Sequence, residues 1–549
     1  MAESLPEQLI ADLARPEAHP DDPTAAAGVE TLQTHISHLF LTKARVVKLR
    51  KAVKLAFLDF STRALRVADC HAEVALNRRL APDVYLGVAP IRRVAGHYQV
   101  REPDVAGADA LASGEEGECA VVMRRLEDGR DALTLLEKGE LRGEDLDAVA
   151  DTLARFHDGA GLGAPAPWDT EGWWEYCYRP VEATLQSLEE SEPFGVSRSE
   201  LEALHAAVRD RYEGLREPLE VRRREGRAVD GHGDVHLQHV WLESGAAPLL
   251  IDCIEFDPNL RRVDAASEVA FLAMDLAYRG HPELASRFLR RYAAARDDFG
   301  LFGVVDAYQS YRAAVRAKVA ALAAADATIP AEQRSAARES ACRHLALAER
   351  AIRRDGRGAL ILLCGTVGVG KSGVAAAIAD HTHGVVISSD RTRKKLAGVA
   401  VAQHEHSVPD EGLYTPERTE AVYDALLERA EPVVSSGRVA VLDATFGRRD
   451  LRDRARSWAE RRQVDALLVH VDCAEEEVRE RVGRRAARGT DPSDAGPEFV
   501  ATSRARFEAP GEWPEDARIT VRTDRGQGDD VLAGLEKRLD DLARNGSRG

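Results

Sequence analysis

The octapeptide "GTVGVGKS", residues 365–372, is the feature that most restricts the fold. It follows an apolar run, "ALILLC", and opens a helical pattern, "SGVAAAIADH". A short run that is apolar without alternation is a strand buried on both faces. Strand, glycine-rich loop and helix in that order match G-x-x-x-x-G-K-[ST] in the context the motif requires, the first unit of an open α/β sheet. Gly365, Gly368 and Gly370 are expected to let backbone N–H groups wrap phosphates. Lys371 is expected to reach the β- and γ-phosphates, and Ser372 to hold a magnesium ion. ATP and Mg²⁺ are therefore the expected cofactors.

The residues after this loop repeat the theme. "GVVISSD", "VAVLDAT", "ALLVHVDC" and "ARITVRT" are apolar runs separated by helical patterns. This predicts a doubly wound α/β P-loop domain with a parallel sheet over residues 356–549. Ligands of such sheets bind at the carboxyl ends of the strands. "LDAT", residues 442–445, ends a strand, and its Asp443 is placed either to bind the magnesium shell or to cap the next helix. Asp390, in "SSDRTRKKL", is either a base for a substrate hydroxyl or a helix cap. Arg393, a turn further on, is the candidate substrate-binding residue. "VRERVGRRAARGTDPSDA" carries five arginines between Arg479 and Arg488, ahead of a breaker-rich stretch. This is either a solvated helix face or a lid whose Arg485 and Arg488 stabilise transition-state charge. With the ordered set of motifs in place, residues 357–525 resemble the P-loop kinases that phosphorylate hydroxyl groups: the polynucleotide kinase, zeta-toxin and gluconate kinase group.

Upstream the pattern differs. Residues 1–30 read as an N-terminal arm, with a short helix and "PEAHPDDPTAAAG". "HLFLT", "RVVKLR" and "VKLAFLDF" read as strands, then "VADCHAEVALNRRLA" as a helix and "ECAVVMRRL" as a strand. Helical patterns dominate thereafter, up to about residue 354. Residues 31–355 thus read as a small sheet lobe, to about residue 126, followed by a helical lobe. Within the second lobe stands "HGDVHLQH", residues 232–239, and "LLIDCIEFD" follows. A kinase catalytic loop places an aspartate beside the substrate hydroxyl and a metal-binding asparagine five residues later. Asp234 fits the first role, and His239 occupies the second position. "HGD" with "IDCIEFD", together with "LARFH" at 153–157, resembles the aminoglycoside phosphotransferase family, an α+β protein-kinase-like bilobal fold. The resemblance covers roughly residues 34–345. It implies that Asp252 binds the metal, that Lys48 pairs with Glu73 and the ATP phosphates, and that the backbone around Met123 holds adenine. Two departures stand out. The turn "TKAR" between the first strands has no glycine, and a histidine replaces the metal-binding asparagine, a poor exchange for Mg²⁺. Either an active kinase or a ligand-sensing relic fits this half. The order of the two halves is similar to that of bacterial bifunctional aminoglycoside phosphotransferase/ATP-binding proteins.

Composition narrows the remaining classes. The length of 549 residues suits two to four domains. No run of eighteen apolar residues is present, so no membrane span is expected. The acidic N-terminus lacks the form of a signal peptide, and the seven cysteines are scattered without a C-x-x-C pair. A reduced, cytoplasmic protein is expected. The net charge of −17 divides unevenly. Residues 356–549 hold 30 basic against 33 acidic side chains, and residues 1–355 hold 45 against 59. Such a balance disfavours nucleic acid as a partner. The expected function is a bifunctional ATP-dependent phosphotransferase acting on small hydroxyl compounds, sugar or aminoglycoside-like. The rival readings are a regulatory ATPase controlled by a sensing kinase-like half, and a 5′-hydroxyl polynucleotide kinase. "RRDLRDRARSWAERR", residues 448–462, with seven arginines, would be the phosphate track of the latter.

Overall fold

The structure is a computed structural model. It describes residues 4–55, 58–105, 118–191, 194–354, 356, 358–399, 411–488, 497–524 and 536–546. The chain divides into two compact units, residues 1–166 with 226–272, and residues 167–225 with 273–549.

The first unit is built on an antiparallel sheet. Its strands are β1 (Glu30–Gln33), β2 (Ser37–Leu41), β3 (Arg45–Arg50), β4 (Tyr85–Val94), β5 (His97–Val100) and β6 (Glu118–Arg124), in spatial order β1-β2-β3-β6-β4-β5. One face gathers Phe40, Val47, Leu49, Ala89 and Val122 into a core. The other face, with Val88 and Val121, packs on Cys70 and Val74 of the helix Arg63–Asn77. That contact fixes the helix that carries Glu73. The expected N-terminal arm supplies the helix Glu7–Leu13, and its Leu9 and Leu13 enter the first core with no exposed surface. Burying two leucines contributes about 1.5–3 kcal/mol each, and Asp12 adds a bond from the Tyr98 N–H at 2.9 Å. "VKLAFLDF" forms no strand among its described residues, which show only an isolated bridge between Lys54 and Asp59. Sequence reading missed three strands of this sheet: β4, β5 and β1, "ETLQ", which is exposed along its whole length. The turn "TKAR" therefore joins β2 to β3, while residues 34–36 join the first two strands. Both turns lack glycine. Two short antiparallel pairs complete the unit. β7 (Ala228–Asp230) pairs with β10 (Arg262–Asp264), and β8 (Val240–Trp241) with β9 (Leu249–Leu250). They hold "HGDVHLQH" and "IDCIEFD" between them.

The second unit combines helices with a parallel sheet. Its helices include Thr170–Glu189, Arg198–Glu213, Pro282–Arg296, Val305–Ala325 and Ala331–Ile352. The sheet has five parallel strands, β11 (Ala359–Cys364), β12 (Val385–Ser388), β13 (Val439–Asp443), β14 (Asp465–Asp472) and β15 (Arg518–Arg522), in order β12-β13-β11-β14-β15. Every residue of β11 is buried, which is why it reads as an unbroken apolar run. Helices upstream of residue 355 are tied to this sheet by ion pairs. Arg438, beside β13, makes a two-pronged pair with Asp306 at 2.6 and 2.8 Å. Arg429 does the same with Asp297 at 2.6 and 2.8 Å.

Candidate active sites

Strand alternation places Lys48 and Arg50 on one face of β3. Lys48 Nζ donates to Glu73 Oε1 at 2.8 Å and to Asp252 Oδ1 at 3.2 Å. Burial opposes the ammonium charge, but the Glu73 and Asp252 carboxylates outweigh it and raise the Lys48 pKa. Arg50 Nη2 takes the second Glu73 oxygen at 2.7 Å and Glu255 at 2.5 Å, while Nε reaches Asp69 at 2.6 Å. Burial and the neighbouring Glu73 charge push Glu255 up to about 8. Lys48 is thus held by a helix carboxylate and by the candidate metal-binding carboxylate together. Asp252 sits at φ 63°, a left-handed conformation in a non-glycine residue. Strain of this kind costs about 1–3 kcal/mol and concentrates at functional sites. The Lys48 charge overcomes burial and lowers the Asp252 pKa.

The loop carrying Asp234 is anchored from behind. Glu268, on the helix Ala265–Tyr278, accepts from His232 N at 2.7 Å and Gly233 N at 3.2 Å. His157, from "LARFH", approaches the same carboxylate at 3.3 Å. A Cβ on Gly231 would lie 1.9 Å from Glu268 Oε2, so this position admits only glycine. Burial drops His232 to about 4, so the ring is neutral. Its Nε2–H donates to the Ile251 carbonyl at 2.9 Å, leaving Nδ1 to accept from Asp234 N at 3.3 Å. One imidazole thereby joins the Asp234 loop to the segment that ends in Asp252. Asp234 Oδ2 lies 3.6 Å from His236 Nε2 and 3.5 Å from His239 Nδ1. Burial works to raise its pKa, but these rings hold it at about 2. Met123 lies on β6 opposite Val46 and Tyr85. With Leu126, Leu249 and Ile251 it is packed on the second face of the sheet, forming an apolar wall. The sequence motifs located Lys48, Glu73, Asp234, His239 and Asp252. Arg50, His232, His236 and Glu268 were missed as a supporting set. The histidines stand in the quoted loop, but Arg50 and Glu268 carry no local signal.

In the second unit the P-loop residues line a cavity of about 550 Å³ with Asp390, Arg393, Asp443 and Arg481. Gly368 and Gly370 have φ of 85° and 94°, which side-chain-bearing residues rarely adopt. A Cβ on Gly365 would meet the Val471 carbonyl oxygen at 2.4 Å. Lys371 Nζ donates to the Thr366 carbonyl at 2.8 Å, and Ser372 lines the same cavity. Ser388, not Asp390, caps the helix Ser389–Leu396. Asp443 ends β13, and Arg448 stands at the cap position of the next helix. Neither aspartate serves as a cap. Arg393 is largely buried. It donates to the Leu413 carbonyl at 2.9 Å, and its guanidinium stacks 4.5 Å from the Tyr414 ring centre. Arg485 and Arg488 fall in the last turns of the helix Glu475–Arg488. Their side chains, and residues 489–496 of the expected lid, lie outside the described residues. Arg481, one of the five arginines but not singled out, bonds to Thr523 Oγ1 at 3.0 Å and to its carbonyl at 2.9 Å. Thr523 Oγ1 donates in turn to the P-loop carbonyl of Val369 at 2.7 Å. This chain ties the phosphate loop to the end of β15.

Two family models match successive segments of the chain, and the first of them includes residues of both compact units. Residues 44–308 match the family model described as the phosphotransferase enzyme family, and residues 360–510 match one described as an AAA domain. A Mycobacterium tuberculosis protein, described as uncharacterized, is 32% identical over 505 residues, which cover 92% of this chain and 94% of the relative. The chain belongs to this family. The likeness runs through both matched segments of this chain. Among solved structures, a choline/ethanolamine kinase family protein from Mesorhizobium loti covers 62% of this chain and 99% of its own, with 14% identity and a TM-score of 0.36. A gluconokinase from Sinorhizobium meliloti covers 35% and 97%, with 21% identity and a TM-score of 0.26.

Proposed function

We infer that this family member is a bifunctional ATP-dependent phosphotransferase, with one nucleotide site in each unit. The observation that carries the reading is Lys48, held at once by Glu73 and Asp252, in a chain that also has a full P-loop. Such a lysine is oriented to meet phosphate oxygens as the cation at Asp252 does. Asp234, ionised at neutral pH, is suited to orient an acceptor hydroxyl more than to act as a strong base. In the C-terminal site Ser372 and Asp443 offer hard oxygen donors, a set that fits Mg²⁺. When bound there, the ion neutralises charge on the transferred phosphoryl group. In this reading Asp390 orients the acceptor, Arg393 binds it, and Arg485 and Arg488 act from the lid.

Small hydroxyl acceptors fit better than nucleic acid. In the arginine-rich helix, Arg448 and Arg454 pair with Glu420, Arg449 with Asp453, Arg452 with Glu512 and Arg462 with Glu431. A track already neutralised in this way has little to offer phosphates. The seven cysteines are free, and among the described residues no helix is long and apolar enough to cross a membrane. Both facts are compatible with the cytoplasm. The test is ADP release from ATP with a panel of sugars, aminoglycosides, nucleosides and 5′-hydroxyl oligonucleotides. Stimulation by small hydroxyl compounds, lost separately in Asp234→Asn and Asp390→Ala, is expected. Stimulation by oligonucleotides alone would replace this reading with the polynucleotide one.

A further inference from the structure

His239 is the place where the N-terminal site departs from a Mg²⁺ site, and its surroundings say what the departure does. Its Nδ1 lies 2.9 Å from the carbonyl oxygen of Asp234. A carbonyl oxygen can only accept, so Nδ1 donates to it and Nε2 is the nitrogen left to take a metal ion. That nitrogen lies 3.6 Å from Asp252 Oδ2. The other Asp252 oxygen accepts from Lys48 at 3.2 Å. Each potential ligand is thus held by a hydrogen bond on its other polar atom. Metal-ligating histidines and carboxylates are oriented in this way. His236 packs on His239 with ring centres 3.9 Å apart, which restricts rotation of the ring.

The donor set selects among cations. Mg²⁺ takes oxygen ligands and dehydrates reluctantly. The 3.6 Å separation puts both donors within reach of one ion, and the imidazole nitrogen favours ions that accept nitrogen. We propose that the N-terminal site binds a divalent transition ion of the manganese-to-zinc class through His239 Nε2 and Asp252 Oδ2, in preference to Mg²⁺. Two protein donors leave coordination positions open for phosphate oxygens, so on the proposed function the ion is the partner of the first nucleotide. The inference rests on that reading for the nucleotide, but not for the ion.

Mn²⁺ is the probe. The metal-free full chain is titrated with Mn²⁺, followed by the electron paramagnetic resonance of the free ion, with and without a non-hydrolysable ATP analogue. One ion is expected to bind without nucleotide and to persist in Lys371→Ala. His239→Asn is expected to weaken it by about tenfold or more and to let Mg²⁺ compete on equal terms. Nitrogen coupling in the pulsed spectrum of the bound ion is expected in the wild type and absent in His239→Asn. Mn²⁺ binding that His239→Asn leaves unchanged, or a wild-type site in which Mg²⁺ displaces Mn²⁺ at equal concentration, would overturn the proposal. Failure of the nucleotide reading shows separately, as Lys371→Ala protein that binds Mn²⁺ but takes up no analogue.

Discussion

Asp306 sits on the helix Val305–Ala325, upstream of the P-loop domain expected from sequence, yet it holds Arg438 at the entrance to β13. Both oxygens of the buried carboxylate are engaged, at 2.6 and 2.8 Å. Arg354 lies 3.9 Å away as a further cation. Asp306→Ala leaves a buried guanidinium without its counter-charge. Breaking such a pair from one side costs about 3–5 kcal/mol. At about 2.1 cal/mol/K per residue, a unit of this size shifts by about 1.4 °C per kcal/mol, so the melting temperature should fall by roughly 4–7 °C. Replacing both partners, Asp306→Leu with Arg438→Met, should recover most of the loss, because a packed apolar pair can match a buried ionic one. Differential scanning calorimetry measures both. A pH series adds a sign. Burial works against the Asp306 charge, but Arg438 outweighs it and depresses the pKa. Its contribution is therefore complete above the unfolded value of about 3.9 and lost as pH falls through the lower folded value. Asp306→Ala should flatten the acid limb of the stability curve. A loss below about 1 kcal/mol, or a double variant no better than the single one, would refute the idea that this pair is buried and essential.

Three further outcomes follow from the sites. Asp234→Asn should lower transfer at the N-terminal site by about 10²–10⁴ while sparing nucleotide binding, and Asp252→Asn should weaken binding itself; calorimetric titration of the ATP analogue separates them. Asp390→Ala should suppress C-terminal transfer and leave ATP affinity unchanged, measured as a kcat loss without a KM shift; full activity would assign this carboxylate no part in catalysis. Glu255 has a folded pKa raised to about 8, so the native state holds a proton that the unfolded chain releases near 4.3. Its stabilising effect is present below that value and declines as pH rises through 8. Glu255→Gln should remove this decline, which runs between about pH 4.3 and 8, from the thermal stability curve.

The parts legible in sequence share one property: their signal is local. "GTVGVGKS" is a turn whose Gly368, Gly370, Lys371 and Ser372 line one cavity, and the buried strands around it read as apolar runs because the sheet is parallel. "HGDVHLQH" likewise packs its chemistry into eight residues. What escaped is set by contacts between distant residues or by solvent exposure. β1 faces solvent along its length, so no alternation marks it. Leu9 and Leu13 looked like part of a short tethered helix until the sheet they pack on was in place. Arg481 and Thr523 come from different segments and meet only at the P-loop. The Asp306–Arg438 pair spans the boundary that sequence placed at residue 356, since helix patterns report nothing about which sheet a helix will join.

Two nucleotide sites per chain is the claim on which the account turns, and stoichiometry tests it. The full chain is titrated by calorimetry with a non-hydrolysable ATP analogue, with Mg²⁺ and Mn²⁺ both present. Two bound nucleotides per chain are predicted, falling to one in Lys371→Ala and to one in Lys48→Ala. A single bound nucleotide in the wild type, abolished by Lys371→Ala and untouched by Lys48→Ala, would contradict it and leave the N-terminal half without a nucleotide.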